Sequence, residues 1–277
     1  MTPGVFARTY TGLGLRDLFA RVKADGFYAV QFNLSCAGLG SLPPDLPHGI
    51  TAQIVSHLQE EGVSICALSG TYNMAHPDDA QRKHDRVGFA NVLRAADEMN
   101  VPLVTLCTGS RDISNMWRAH PDNTTTLAWT TLCDEMALAL RMAEDLGLVL
   151  GIEPEPGNVV ADSRCARRIL DEMKTTRLGI VLDAANLLPP EVQGRQSEII
   201  DEAVDLLGGS LRLVHAKDTD AVGKVVPAGK GVVDFPAFIK KMREAGYTGP
   251  LIAHNIEESD APGVAAYLSK IIREDAQ

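Results

Sequence analysis

The chain has 277 residues, 45% of them hydrophobic, which is enough core for one large domain or two small ones. Its 26 basic and 36 acidic residues give a net charge of −10, which argues against a nucleic-acid surface and leaves a small polar or anionic substrate to local charges. No stretch approaches about 18 uninterrupted apolar residues, and Met1 to Tyr10 lacks the features of a signal peptide, so a soluble cytoplasmic protein with no membrane partner is expected.

In chain order, the first strand-like apolar run is Gly4 to Arg8, followed by a helical pattern over Leu15 to Ala24. Strands Tyr28 to Phe32 and Ser64 to Ser69 flank a helix over Thr51 to Glu61. The helix Asp85 to Met99 leads to strand Leu103 to Cys107, and Thr125 to Asp145 leads to Val149 to Glu153. Helices Ala166 to Lys174 and Glu198 to Leu207 precede strands Gly179 to Asp183 and Leu211 to His215 respectively. Phe235 to Glu244, strand Leu251 to His254 and helix Gly263 to Arg273 complete the series. Asp25-Gly26, Glu61-Gly62, Leu146-Gly147 and Ala245-Gly246 each end a helix where glycine can adopt a left-handed cap. Asp162 and Asp234 are N-cap candidates. Eight strands alternating with helices, without a linker, predict an α/β fold, a single (β/α)8 TIM barrel over residues 1–277.

Cys36, Cys66, Cys107, Cys133 and Cys165 form an odd set with no close pair, which points to reduced thiols rather than a disulfide framework or zinc knuckle. Cys66 and Cys107 fall inside predicted strands and read as small hydrophobes.

Four strands end on residues able to bind a metal: Glu153, Asp183, His215 and His254, separated by 30, 32 and 39 residues. Strand alternation puts Glu153 on one face with Gly151 and Val149, Asp183 with Val181 and Gly179, His215 with Leu213, and His254 with Ile252. Each is then the last inward-pointing residue of its strand, at the end of the barrel where active sites lie. Two carboxylates and two imidazoles make a mixed oxygen and nitrogen site for one divalent metal ion, Mn, Co, Mg or Zn. Such a site can bind the carbonyl and neighbouring hydroxyl of a sugar and stabilise the enediolate formed on proton removal.

With these motifs the chain resembles the xylose-isomerase-like superfamily of sugar phosphate isomerases and epimerases over nearly its whole length. The resemblance is carried by Ala24-Asp25-Gly26-Phe27, Glu153-Pro154, Asp183 with Asn186, and His215-Ala216-Lys217-Asp218. Gly229-Lys230-Gly231-Val232-Val233-Asp234-Phe235 and Gly246-Tyr247-Thr248-Gly249-Pro250-Leu251 add to it. It implies a divalent metal held by a glutamate, an aspartate, a histidine and a second glutamate at the ends of strands five to eight. Glu153, Asp183 and His215 fill the first three places, whereas His254 stands where the second glutamate is expected. In the sugar epimerases of that superfamily the two glutamates act as opposed acid and base. Three arrangements then remain: His254 is a ligand while another group handles the second proton, Glu257 reaches back from its loop, or one base returns the proton it removed.

The expected activity is isomerisation or epimerisation of a small sugar, sugar acid or sugar phosphate, with Glu153 as ligand and principal base. Candidate substrate-binding residues are Asn73, His76, Arg111, Glu155, Asn186 and Lys217. Asn186 offers a neutral donor and acceptor for hydroxyls, or alternatively a turn. Lys217 suits a hydroxyl or phosphate, and Asp218 a ligand imidazole as acceptor. The loop from Asp218 to Val233, with Lys224 and Lys230, could cover an anionic substrate; Trp117 and His120 offer an aromatic lid or local packing. His76 could instead bond Asp78 or Asp79, and Arg111 could pair with Asp112. The rival readings are an endonuclease-IV-like metal phosphodiesterase, which needs a histidine-rich multi-zinc cluster, and a non-catalytic sugar- or metal-binding barrel. Homo-oligomers are common among proteins resembling this family.

Overall fold

A computed structural model describes residues 1–274. Eight parallel strands close into a barrel: β1 (Pro3–Phe6), β2 (Ala29–Phe32), β3 (Ser64–Ser69), β4 (Leu103–Cys107), β5 (Val149–Glu153), β6 (Leu178–Asp183), β7 (Leu211–Ala216) and β10 (Leu251–Ala253). Sequential neighbours pair around the ring and β10 closes on β1, with Pro3 opposite Leu251 and Val5 opposite Ala253. The helices α1 (Leu15–Ala24), α2 (Ile50–Glu61), α3 (Asp79–Glu98), α4 (Thr126–Asp145), α5 (Ser163–Met173), α7 (Gln196–Leu207), α8 (Phe235–Glu244) and α9 (Ala261–Glu274) form the outer layer, and a short α6 (Ala184–Leu187) follows β6 directly. The main core lies between the two layers and buries Phe19, Phe32, Phe89, Phe235 and Phe238. No helix among the described residues is long and apolar enough to cross a membrane.

Val149, Val181, Leu213 and Ile252, which alternation assigns to the inside of the barrel, lie there, whereas at β3 an irregular pairing with β2 puts the consecutive Cys66 and Ala67 there together. Ala67, Leu103, Val181, Leu213 and Ile252 form a separate buried cluster, with Phe6, Cys66 and Val149 packed against it. This plug forms a floor, and the polar strand ends stand one inward position above it. Register places the relevant ends side by side, with Cys107 opposite Glu153 and Asp183 opposite His215.

The expected glycine caps all form, with φ of +97° at Gly26, +65° at Gly62, +70° at Gly147 and +83° at Gly246. Asp162 caps α5 by accepting from the Cys165 N–H at 2.8 Å, and Asp234 caps α8 through Ala237 at 3.1 Å.

Several boundaries differ from expectation. The first strand ends at Phe6 rather than Arg8, because the chain tightens into a 3-10 turn over Ala7–Thr9, closed by Tyr10 N–H on the Ala7 carbonyl at 3.1 Å. The last strand ends at Ala253, and His254 follows it before Asn255 turns the chain at φ +54°. Helix α3 begins six residues before Asp85, since Asp78 caps it through Ala80 and the added turn carries polar residues too exposed to contribute an apolar period. Residues Asp218 to Val226 form a small antiparallel hairpin, β8 (Asp218–Thr219) with β9 (Val225–Val226), which no strand-length apolar run announces.

Candidate metal centre

Glu153 ends β5, Asp183 ends β6, His215 lies one residue before the end of β7, and His254 is the first residue after β10. Each offers one ligand atom, and the four atoms lie within 4.8 Å of one another. Glu153, Asp183 and His215 are 6%, 1% and 0% exposed.

Hydrogen bonds fix the His215 ring on both sides. Its Nε2 lies 2.7 Å from Gln31 Oε1, while the Gln31 amide nitrogen donates to Thr105 Oγ1 at 3.0 Å. With the Gln31 amide oriented by that network, Oε1 can only accept, so Nε2 carries the proton. Nδ1 then faces Glu153 Oε1 at 3.1 Å and Asp183 Oδ2 at 4.0 Å, which is the orientation a metal-ligating histidine needs. His254 stacks on His215 with ring centroids 4.7 Å apart and meets Phe6 in a tilted contact at 5.2 Å.

Two further residues are built into the cluster. Asn186 donates to Glu153 Oε1 at 3.1 Å and to the Pro154 carbonyl at 3.0 Å, and accepts from Lys217 Nζ. Lys217 Nζ also lies 3.5 Å from Asp183 Oδ2 and 3.9 Å from Glu155 Oε2.

Burial pushes the Glu153 carboxyl up, but the charge and hydrogen bond of His215 outweigh it, helped by His254 and Lys217, and lower it to about 2. Burial disfavours the His215 cation, yet the neighbouring Glu153 and Asp183 charges raise its pKa. Burial, and then the His215 charge, depress His254 to about 3, so its ring is neutral at pH 7. Burial raises Asp183 and Glu155.

The donor set fits a divalent ion. Asp183 Oδ2 and His254 Nδ1 are shut off from solvent and make no hydrogen bond, the former facing only the Lys217 ammonium at 3.5 Å; a buried polar atom without a partner costs about 1–3 kcal/mol. A cation held by Glu153, Asp183, His215 and His254 answers both the charge and the unsatisfied lone pairs.

Above the cluster opens a cavity of about 620 Å³, lined by Glu153, Glu155, Lys217 and His254 together with Gln31, Thr105 and Cys107. Arg8, Asn33, Met116, Trp117, Val225 and Asn255 also line it. Of the residues expected from the sequence, Glu155 and Lys217 line this space, and Asn186 supports it from below through Glu153. Asn73, His76 and Arg111 do not line it. The Asn73 amide bonds both backbone groups of Ser110, at 2.9 and 3.0 Å, and so ties the loops after β3 and β4 together. His76 accepts from the Asp78 N–H at 3.1 Å, and Arg111 donates to the Ala75 carbonyl at 3.1 Å. Asp112 pairs with Arg118 at 2.6 Å rather than with Arg111.

Asp218 hydrogen-bonds to loop backbone rather than to either histidine. Its carboxylate accepts backbone N–H bonds from Thr219, Gly229, Gly231 and Val233, at 2.9 to 3.1 Å, and gathers the loop from Asp218 to Val233 around it. The acceptor for the His215 imidazole is Gln31, a polar residue in an otherwise apolar strand, and that interruption of the run is its only sequence signal. Lys224 and Lys230 do not line the cavity, whereas Trp117 does. Glu257 is exposed and is not among the lining residues. His120 caps a 3-10 turn by accepting from the Asp122 N–H.

The family profile described as xylose isomerase-like TIM barrel matches residues 19–274. The chain belongs to that family. No curated protein matches the chain by sequence. Among solved structures, a D-tagatose 3-epimerase-like protein superposes with a TM-score of 0.79 at 17% identity, covering 100% of this chain and 98% of that one. The 3-keto-D-glucoside 4-epimerase YcjR from E. coli, in its apo form, gives 0.74 at 16% identity, covering 98% and 99%. The IOLI protein with a bound zinc atom gives 0.76 at 15% identity, covering 99% of each chain. At these identities the likeness to this family member is one of fold.

Proposed function

We propose that the protein is a divalent-metal-dependent isomerase or epimerase of a small sugar or sugar derivative. The observation that carries this reading is the convergence of Glu153, Asp183, His215 and His254 within 4.8 Å beneath a 620 Å³ cavity at the C-terminal mouth of the barrel. Structural neighbours that bear the names of sugar epimerases support it. When bound, the ion would supply positive charge beside a substrate carbonyl and so acidify the adjacent C–H.

Within that setting Glu153 is the base. Oε1 accepts from the Asn186 amide and lies on the side of His215 Nδ1, where it would serve the metal, whereas Oε2 meets only the Cys107 thiol at 3.8 Å, which leaves it available to accept a proton from a substrate in the cavity. Glu155 and Lys217 line the same cavity and are better placed than Glu257 to handle a second proton. Arg8, Asn33 and Asn255 in the lining suit hydroxyl recognition, and the half-exposed Trp117 offers an apolar wall for a sugar ring.

The test is solvent-deuterium incorporation into a panel of ketoses, followed by NMR, with and without chelator. Chelator-sensitive exchange is expected, and Glu153→Gln should slow it by about 10²–10⁴-fold. No exchange into any sugar, or exchange that Glu153→Gln leaves intact, would refute the assignment.

A further inference from the structure

His254 changes the chemistry of the donor set. The resemblance implies three carboxylates and one imidazole, whereas this chain presents two of each. Two carboxylates balance a dication in charge, and beyond them Lys217, 3.5 Å from Asp183 Oδ2, is matched by Glu155 at 3.9 Å. Oxygen-seeking ions such as magnesium and manganese lose an anionic oxygen by this exchange, while zinc gains an imidazole nitrogen, which it binds well.

The ring is also held ready. It is clamped between Phe6 and His215, with centroids 5.2 and 4.7 Å away, and Asn255 turns the chain immediately after it. Its Nδ1 is buried and has no hydrogen-bond partner. Gln31 meanwhile fixes the neighbouring imidazole with Nδ1 toward the carboxylates. Two imidazole rings already held by their neighbours spend little side-chain entropy on binding, so the advantage falls to the ion that prefers nitrogen.

We propose that His254 is the metal-selectivity residue of this site and biases it toward zinc against manganese and magnesium. The inference rests on the metal centre of the proposed function, but not on the identity of the sugar or on turnover. The decisive quantity is the change in preference on substitution, because most mixed nitrogen and oxygen sites favour zinc to some degree.

Chelator-stripped full-length protein would be titrated calorimetrically with zinc, manganese and magnesium chlorides, directly and in competition. His254→Glu would be measured in parallel, and circular dichroism would confirm its fold. The zinc-to-manganese affinity ratio should fall by about 10–100-fold in His254→Glu. If that variant does not fold, His254→Gln, which offers a neutral oxygen instead of the nitrogen, should lower the ratio in the same direction. An unchanged or increased ratio in the folded variant would overturn the selectivity role while leaving the metal centre standing. Failure of the wild-type protein to bind any of the three ions would remove both.

Discussion

Lys217 lines the cavity and also serves the site electrostatically. Its ammonium is 6% exposed as a residue and sits between Asp183, Glu155 and the Asn186 amide oxygen. Burial disfavours its charge, but the surrounding carboxylates outweigh that and raise its pKa. In the metal-free protein it is the main cation facing Asp183 besides His215. Lys217→Met should therefore destabilise the metal-free protein by about 3–5 kcal/mol in urea denaturation, because it leaves buried carboxylates uncompensated. Saturating zinc should recover much of that loss by supplying another positive charge. A variant as stable as wild type without metal would show that Asp183 does not need the lysine. Gln31 belongs to the same scale: two hydrogen bonds settle which nitrogen His215 turns toward the carboxylates.

The elements that shape the mouth are loops made rigid by single side chains. Asp218 draws four backbone N–H groups onto one carboxylate and fastens the segment from Thr219 to Val233 across the end of β7. Gly231 has to be glycine there, since a Cβ would lie 2.2 Å from the Thr219 carbonyl oxygen and 2.3 Å from the Asp218 carboxylate. The β8–β9 hairpin held in this way brings Val225 to the lining of the cavity. Asp218→Ala should lower stability by about 1–3 kcal/mol and open residues 218–233 to limited proteolysis. Unaltered cleavage of that segment would mean that the hairpin stands without the carboxylate. The loop after β4 is anchored in a related way: Asn73 grips Ser110, and Asn123 accepts from the Arg111 N–H at 2.8 Å, leaving Trp117 over the opening.

At the scale of the whole molecule, the closed barrel turns local alternation into a floor and a mouth. Cys66 belongs to the floor, packed with Ala67, Leu213 and Ile252, and its thiol is 3.2 Å from the Val30 carbonyl. Burial raises it from 9.0 to about 12. The unfolded chain therefore loses this proton first as pH passes 9, so global stability declines between pH 9 and about 12. Melting temperatures followed through that range should fall less steeply for Cys66→Ala than for wild type. Parallel pH profiles would place the alkaline sensitivity elsewhere.

The sequence by itself determined the barrel, its eight strands and the strand ends where Glu153, Asp183, His215 and His254 meet. Strand alternation is a property of covalent geometry, and the apolar runs repeat at a spacing that leaves room for a helix each time. It also made the departure at His254 visible, because one residue type at one strand end needs no tertiary information. The partners of those residues were decided by closure of the barrel. Gln31 meets His215 across 184 residues of chain, and no local pattern encodes that contact. Asn73, Arg111 and Asp218 were placed near the mouth by their position after strands, but in the tertiary structure their hydrogen-bonding groups hold loop backbone. A polar side chain in a loop satisfies the nearest buried backbone group, and only the folded path of the loop fixes which group that is.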